Sequence, residues 1–155
     1  MTLLTTGTLL TITPISGYTG PLLQPYSARG LTQQWEVISS GGGSGSWTRR
    51  DVNGSLRSVA DTRFRKIKSV ISCKDGVTPS LDDAWIGVIC EVGCAFEFNY
   101  VTGGVPQHPV VSGSTRFEGS VTFYRPLLTM MVTNIKAGFQ EWAAHYDWTV
   151  DLEEI

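Results

Sequence analysis

Arg63-Phe64-Arg65-Lys66-Ile67-Lys68-Ser69-Val70-Ile71-Ser72-Cys73 alternates along its length: Ile67, Ser69, Ile71 and Cys73 fall on one side of an extended chain, Phe64, Lys66, Lys68 and Val70 on the other. Successive side chains of a strand point to opposite faces, so the pattern predicts a long β-strand. One face turns inward; the other is mixed and charged, as at a surface or a subunit contact. The same period recurs outward from this stretch. Residues 85–100 read as a second long strand, in which Cys94, Phe96 and Phe98 oppose Ala95, Glu97 and Asn99 and Gly87 or Gly93 supplies a bend. In residues 119–133, Leu128, Met130 and Val132 alternate with Leu127, Thr129 and Met131, and Pro126 marks an edge or a bend. Being apolar on both faces, the middle of that strand belongs inside a sandwich or an interface. Trp148, Val150 and Leu152 alternate with Thr149, Asp151 and Glu153 in a final strand.

The remaining segments fit around these strands. Residues 5–13 read as a threonine-rich strand closed by Pro14, and residues 33–38 as a short one. Asn53-Gly54 predicts a type I′ hairpin turn flanked by Trp47 and Leu56, because that pair readily adopts positive φ. Residues 15–32 and 102–115, rich in glycine and proline, are extended loops or arms, and the glycine-serine run 39–46 is a tether or loop tip. Residues 135–144 carry the single helical pattern: Phe139, Trp142 and Ala143 stand at helical spacing and Asn134 can cap the N-terminus, although Gly138 weakens the segment. The expected fold is mainly β, an antiparallel β-sandwich or barrel with one short α-helix near the C-terminus. It forms a single domain over residues 1–155.

Composition removes several function classes. A net charge of −2 argues against a dedicated nucleic-acid binder, whose affinity would need a clear basic excess. Cys73, Cys90 and Cys94 lack the paired spacing and nearby histidines of a zinc site and read as buried structural thiols. Residues 1–13 alternate threonine with leucine, unlike a secretion signal, and no run approaches the length of about 20 apolar residues that crosses a membrane. The expectation is a protein made and kept in a reducing cytoplasm until it is assembled.

Groups that could support catalysis are few. His108 lies between Gln107 and Pro109 in a loop, and His145 at the end of the expected helix, where it can meet the terminal carbonyls. Asp82 and Asp83, like Glu153 and Glu154, are neighbours whose carboxylates point apart in an extended chain. The run 41–46 lacks the Gly-Lys-Ser/Thr ending of a phosphate-binding loop, and no serine has the glycine-flanked setting of a hydrolase nucleophile. No catalytic residue, cofactor or metal is assigned.

Charge is segregated instead. Seven of the twelve basic residues, Arg49, Arg50, Arg57, Arg63, Arg65, Lys66 and Lys68, fall within residues 49–68, whereas residues 147–155 carry Asp147, Asp151, Glu153 and Glu154. The basic cluster reads as a solvated face, an inter-subunit contact or a nucleic-acid patch. The second reading makes Arg49, Arg50, Arg57, Arg63, Arg65, Lys66 and Lys68 partners of Asp151, Glu153 and Glu154 on a neighbouring copy.

Several segments together resemble a known family: Trp47-Thr48-Arg49-Arg50-Asp51-Val52-Asn53-Gly54, then Arg63-Phe64-Arg65-Lys66 leading to Ile71-Ser72-Cys73, then Leu81-Asp82-Asp83-Ala84-Trp85. Phe123-Tyr124-Arg125-Pro126-Leu127-Leu128-Thr129-Met130-Met131-Val132 and residues 148–155 complete the likeness. From Trp47 onward the chain resembles small tail or baseplate structural proteins of tailed bacteriophages. The resemblance implies a sandwich or barrel of tail-tube or distal-tail type that forms rings by sheet augmentation and extended loops. Its partners would be further copies of itself, other phage tail or baseplate proteins and non-specific DNA in the lumen, with no membrane; its place would be the virion tail. The competing expectations are a capsid or head-tail connector protein, a β-sandwich carbohydrate- or receptor-binding module that uses aromatic side chains for stacking, and a carboxylate hydrolase using Asp82.

Overall fold

The computed structural model describes residues 9–16, 31–38, 47–61, 65–75 and 85–155. Among them the fold is mainly β and the sheets are antiparallel. The strands are β1 (Thr11–Ser16), β2 (Thr32–Val37), β3 (Thr48–Arg50), β4 (Leu56–Ser58), β5 (Ile67–Asp75), β6 (Ile89–Gly93), β7 (Phe98–Val101), β8 (Arg116–Glu118), β9 (Val121–Tyr124), β10 (Leu127–Gln140) and β11 (His145–Glu154). Six form the main sheet in the order β1-β6-β10-β11-β5-β2; β7-β9-β8 form a second sheet, and β3-β4 a hairpin of their own.

Period-two patterning decides which face of the main sheet is dry. Ile67, Ser69, Ile71 and Cys73 of β5 are buried together with Trp148, Val150 and Leu152 of β11, Leu128, Met130 and Val132 of β10, Cys90 and Val92 of β6 and Ile12 of β1. Register sets them in rows. Leu152 pairs with Val132 on one side and Ser69 on the other, and Val150 with Ile135 and Ile71. Each large apolar side chain so enclosed contributes about 1.5–3 kcal/mol. The alternate positions, such as Val70, Thr129, Met131 and Thr149, are only half-buried.

Several expectations need correction. The helix expected over residues 135–144 is not present: β10 continues to Gln140 and a turn at residues 141–144 returns the chain into β11. Pairing explains the outcome. Ile135 through Gln140 find partners from Val150 to His145, and Phe139 packs across the hairpin on Tyr146 at 5.7 Å between ring centroids. Asn134 caps nothing; its amide donates to Asp151 Oδ2 at the β10 irregularity between Val132 and Asn134.

Each of the two long central segments is also divided. Residues 85–100 split after Gly93 into β6 and β7, which belong to different sheets. A Cβ at Gly93 would stand 2.3 Å from Thr11 Oγ1, so glycine lets β1 approach here. Residues 119–133 split at Arg125-Pro126, where the chain crosses from the second sheet to the main one. Pro126 has no N–H to give, and its carbonyl accepts from Cys94 N at 3.0 Å.

At the N-terminal strand, β1 runs through Pro14 to Ser16 rather than stopping before it, which an edge strand with an irregular register at that point allows. The turn after β3 is not type I′. Only Gly54 has positive φ, at 78°, while the Asp51 carboxylate accepts from the N–H groups of Asn53 and Ser55. Of the loop expected at 15–32, Ile15 and Ser16 lie in β1 and Thr32 in β2; residues 17–30 and 39–46 lie outside the described residues.

Gln33 ties the two ends of the main sheet together. Its Oε1 accepts from Ala95 N at 2.7 Å, just beyond β6, while its Nε2 donates to Ser69 Oγ at 3.2 Å. Ser69 is fully buried and donates in turn to Gln34 O at 3.0 Å. The β2 end of the sheet therefore curls toward the segment that follows β6.

Candidate functional site

The curl leaves a cleft of about 1000 Å³ between the β2 end of the main sheet, the second sheet and the segments around the β3-β4 hairpin. Its walls are aromatic. Trp35 from β2 meets Phe98 of β7 edge-on at 4.9 Å and Phe96 at 5.7 Å; Tyr124 and Tyr100 pack on each other at 5.7 Å, and the His108 imidazole lies 5.5 Å from Phe98. Trp47 closes another side, with its indole N–H donating to Ile38 O at 3.0 Å. Period two explains the stripe, because Phe96, Phe98 and Tyr100 follow one another on alternate positions. The stripe is legible in the sequence. That Trp35, Trp47 and Tyr124 converge on it is not, since the three come from strands and segments far apart in the chain.

The charged rim is partly self-satisfied. Glu97 is held by Arg116 through Nη2 at 2.8 Å and Nε at 3.1 Å, which keeps its carboxyl below the usual carboxylate range. Arg116 also reaches Glu118 and stacks over Phe123 at 4.1 Å, and the carboxylates raise its own pKa. Lys66 donates to Ile155 O at 2.7 Å, and Ile67 N donates to Glu154 Oε2 at 3.0 Å. Arg65 lies on the cleft and makes no ion pair among the described residues.

The basic and acidic residues singled out by sequence are thus brought together in part within one chain. β5 pairs with β11, which aligns Lys68 with Glu153 and places Lys66 against the C-terminal residue. Asp151 sits opposite Val70, at the β10 irregularity. Arg49, Arg50 and Arg57 are exposed on the β3-β4 hairpin, where Arg57 pairs with Asp51 at 3.0 Å and Arg50 donates to Gly54 O. An ion pair that exposed contributes at most about 1 kcal/mol. Arg63, Asp82 and Asp83 lie outside the described residues.

Two further surfaces are exposed, one of which shares Trp35 and Val37 with the cleft. Among the described residues, nothing pairs with the outer edges of β1 and β2, and Leu9, Ile15, Trp35 and Val37 are exposed beside them. The β10-β11 hairpin also runs well past β6 on one side and one residue past β5 on the other. β6 pairs no farther along β10 than Met131 and β5 no farther along β11 than Tyr146, so residues 136–144 are exposed and Trp142 is wholly so.

Reactive groups are placed plainly. His145 opens β11 instead of ending a helix, with Nε2 2.7 Å from Asp147 Oδ1. The three thiols are buried and unbridged; burial pushes Cys90 up to about 11 and Cys94 to about 12. Among the described residues, no cluster of three or more His, Cys, Asp or Glu is arranged to hold a metal, and no helix is long and apolar enough to cross a membrane. Comparison with protein-family models, curated proteins and solved structures finds no match.

Proposed function

We propose that this chain is a non-enzymatic structural subunit of a bacteriophage tail or baseplate, assembling into rings through repeated contacts between copies. One observation carries the reading: both terminal strands of the main sheet leave an unpaired edge among the described residues, each flanked by exposed apolar side chains. An open apolar edge is a template for another strand, and a β1 edge that meets a β2 edge repeats the same heterologous contact around a ring. The curl fixed by Gln33 and Ala95 favours the barrel-like form of the fold over the sandwich. Other tail or baseplate proteins, and non-specific DNA in the lumen, are the further partners of such a ring, and the virion tail is its place.

The test is the mass distribution of purified protein across concentration and salt, with negative-stain imaging, for the native chain and for Ile15→Lys on β1, 54% exposed and outside the cleft. Rings that form at raised concentration and are lost on placing a charge at the edge support the reading. A native protein that stays monomeric throughout overturns it.

A second reading, a carbohydrate- or receptor-binding module, is favoured by the aromatic cleft alone. It predicts quenching of cleft tryptophan fluorescence by oligosaccharides at concentrations where the protein is monomeric.

A further inference from the structure

We infer that the tip of the β10-β11 hairpin docks in the aromatic cleft of a second copy of this chain, with Trp142 as the inserted group. The inference rests on the self-assembling reading and names a contact that adjoins the β2 edge, where Trp35 and Val37 line the cleft, and does not involve β1. Trp142 is 101% exposed and Phe139 58% exposed, at the end of a hairpin that runs well past β6 on one side and one residue past its last pairing with β5 on the other. Aromatic side chains displayed on a projection add little to the stability of the monomer that carries them, whereas buried in a partner's pocket they are the commonest anchors of an interface.

The cleft suits this occupant in wall and in charge. Trp35, Trp47 and Tyr100 line it, and a space of about 1000 Å³ exceeds what one indole fills. Among the described residues, Glu141, which immediately precedes Trp142, has no side-chain partner, and Arg65 on the cleft makes no ion pair. Of the two carboxylates that line the cleft, Glu97 is already held by Arg116 and Asp61 is engaged in an interaction of its own, so neither presents a bare charge against Glu141.

Position makes the contact repeat. Lys66 and Ile67 of the cleft adjoin Glu154 and Ile155, and Val37 pairs with Ile67, so the cleft lies at the C-terminal end of β11. The tip lies at the other end of that strand. Met130 pairs with Glu154, and β10 runs from there to Gln140, a distance of about 33 Å at 3.3 Å per residue. A copy that gives its tip still has an open cleft at its far end, and the contact propagates head to tail along the strand direction.

The test uses full-length protein in two forms, each with one added cysteine, Ala143→Cys at the tip and Val105→Cys, 84% exposed on the cleft wall, mixed and treated with a short bis-maleimide. The native thiols are buried and do not compete. The expected result is a crosslink between residues 143 and 105 of different copies, with Trp142→Ala raising the midpoint concentration of assembly at least thirtyfold, as for an interface anchor worth 2 kcal/mol or more (about 1.4 kcal/mol per tenfold). Trp142→Phe restores part of the loss. Assembly at the native midpoint by Trp142→Ala, or native assemblies without the 143–105 crosslink, overturns the docking and leaves the ring reading intact. A native chain monomeric at every concentration overturns both. Oligosaccharide quenching of the cleft tryptophans that leaves native assembly unchanged also overturns the docking, since it shows the cleft to be free in the assembled protein.

Discussion

Replacing Gln33 with alanine tests whether the curl of the main sheet is held by one amide. Two hydrogen bonds disappear: Ala95 N–H loses its acceptor at 2.7 Å, and the buried Ser69 hydroxyl loses its donor at 3.2 Å. A part-buried N–H left without a partner costs about 1–3 kcal/mol, and the second bond is worth about 0.5–1.5 kcal/mol. Ser69 still donates to Gln34 O, so its hydroxyl is not orphaned. The expected loss is about 2–4 kcal/mol, with water reaching the half-buried Ala95 drawing it toward the lower figure. For a chain of this size that lowers the melting temperature by about 5–10 °C. Urea unfolding followed by tryptophan fluorescence measures the change, and Gln33→Glu, which keeps an acceptor for Ala95 N, should lose less than Gln33→Ala. A loss below about 0.5 kcal/mol for Gln33→Ala would refute the argument, because the ends of the sheet would then be joined by something other than this side chain.

Leu152 is fully buried between Val132 and Ser69, and Leu152→Ala should cost about 2–5 kcal/mol in urea unfolding, by the cavity it opens. Ala144 holds a φ of 47° at the hairpin turn, so Ala144→Gly should slow amide exchange of residues 140–145 by relieving up to about 1 kcal/mol of left-handed strain. The Cys90 and Cys94 thiols, raised by burial, should resist Ellman's reagent at pH 8 until the protein unfolds. For Cys90, a folded pKa of about 11 against 9.0 means its stabilising share is whole below pH 9 and lost as pH rises toward 11. Unfolding free energy should therefore fall over that window, and fall less steeply in Cys90→Ala.

Much of the main sheet can be read from period two alone. Ile67, Ser69, Ile71 and Cys73 are buried as the alternation requires, and Trp148, Val150 and Leu152 likewise. The breaks were less legible, because they depend on groups distant in sequence. Gly93 ends a strand where it pairs with Thr11, whose side chain leaves no room for a Cβ, and Arg125 turns the chain toward Leu9 and Cys94, whose carbonyls its Nη1 reaches at 2.6 and 3.3 Å. Segregated charge sets residues 49–68 against residues 147–155 as partners on neighbouring copies, whereas the register aligns Lys68 with Glu153 inside one chain, and a linear pattern does not distinguish the two cases. Lys66 against Ile155 shows that part of that complementarity is intramolecular. The cleft escaped notice for the same reason that the Gln33 contacts did: its walls come from segments that meet only after the sheet has curled.

The misread hairpin carries the strongest argument about assembly. A ten-residue helix over 135–144 would be marginal in water unless Phe139 and Trp142 had a core to face. The strand form instead extends an existing ladder and gains the Phe139–Tyr146 cross-strand pair, worth about 0.2–1 kcal/mol. The strand form gives Phe139 a partner in Tyr146 but leaves Trp142 wholly exposed, without a contact among the described residues. Monomer stability therefore gives no physical account of an indole at 142, where serine or asparagine would serve the turn at lower cost in exposed apolar surface. An aromatic whose burial term is missing from its own fold must recover it in a contact with another molecule or not at all. Fold stability and assembly thus separate at this residue, which is why truncating it is informative: unfolding should not register the change, and association should.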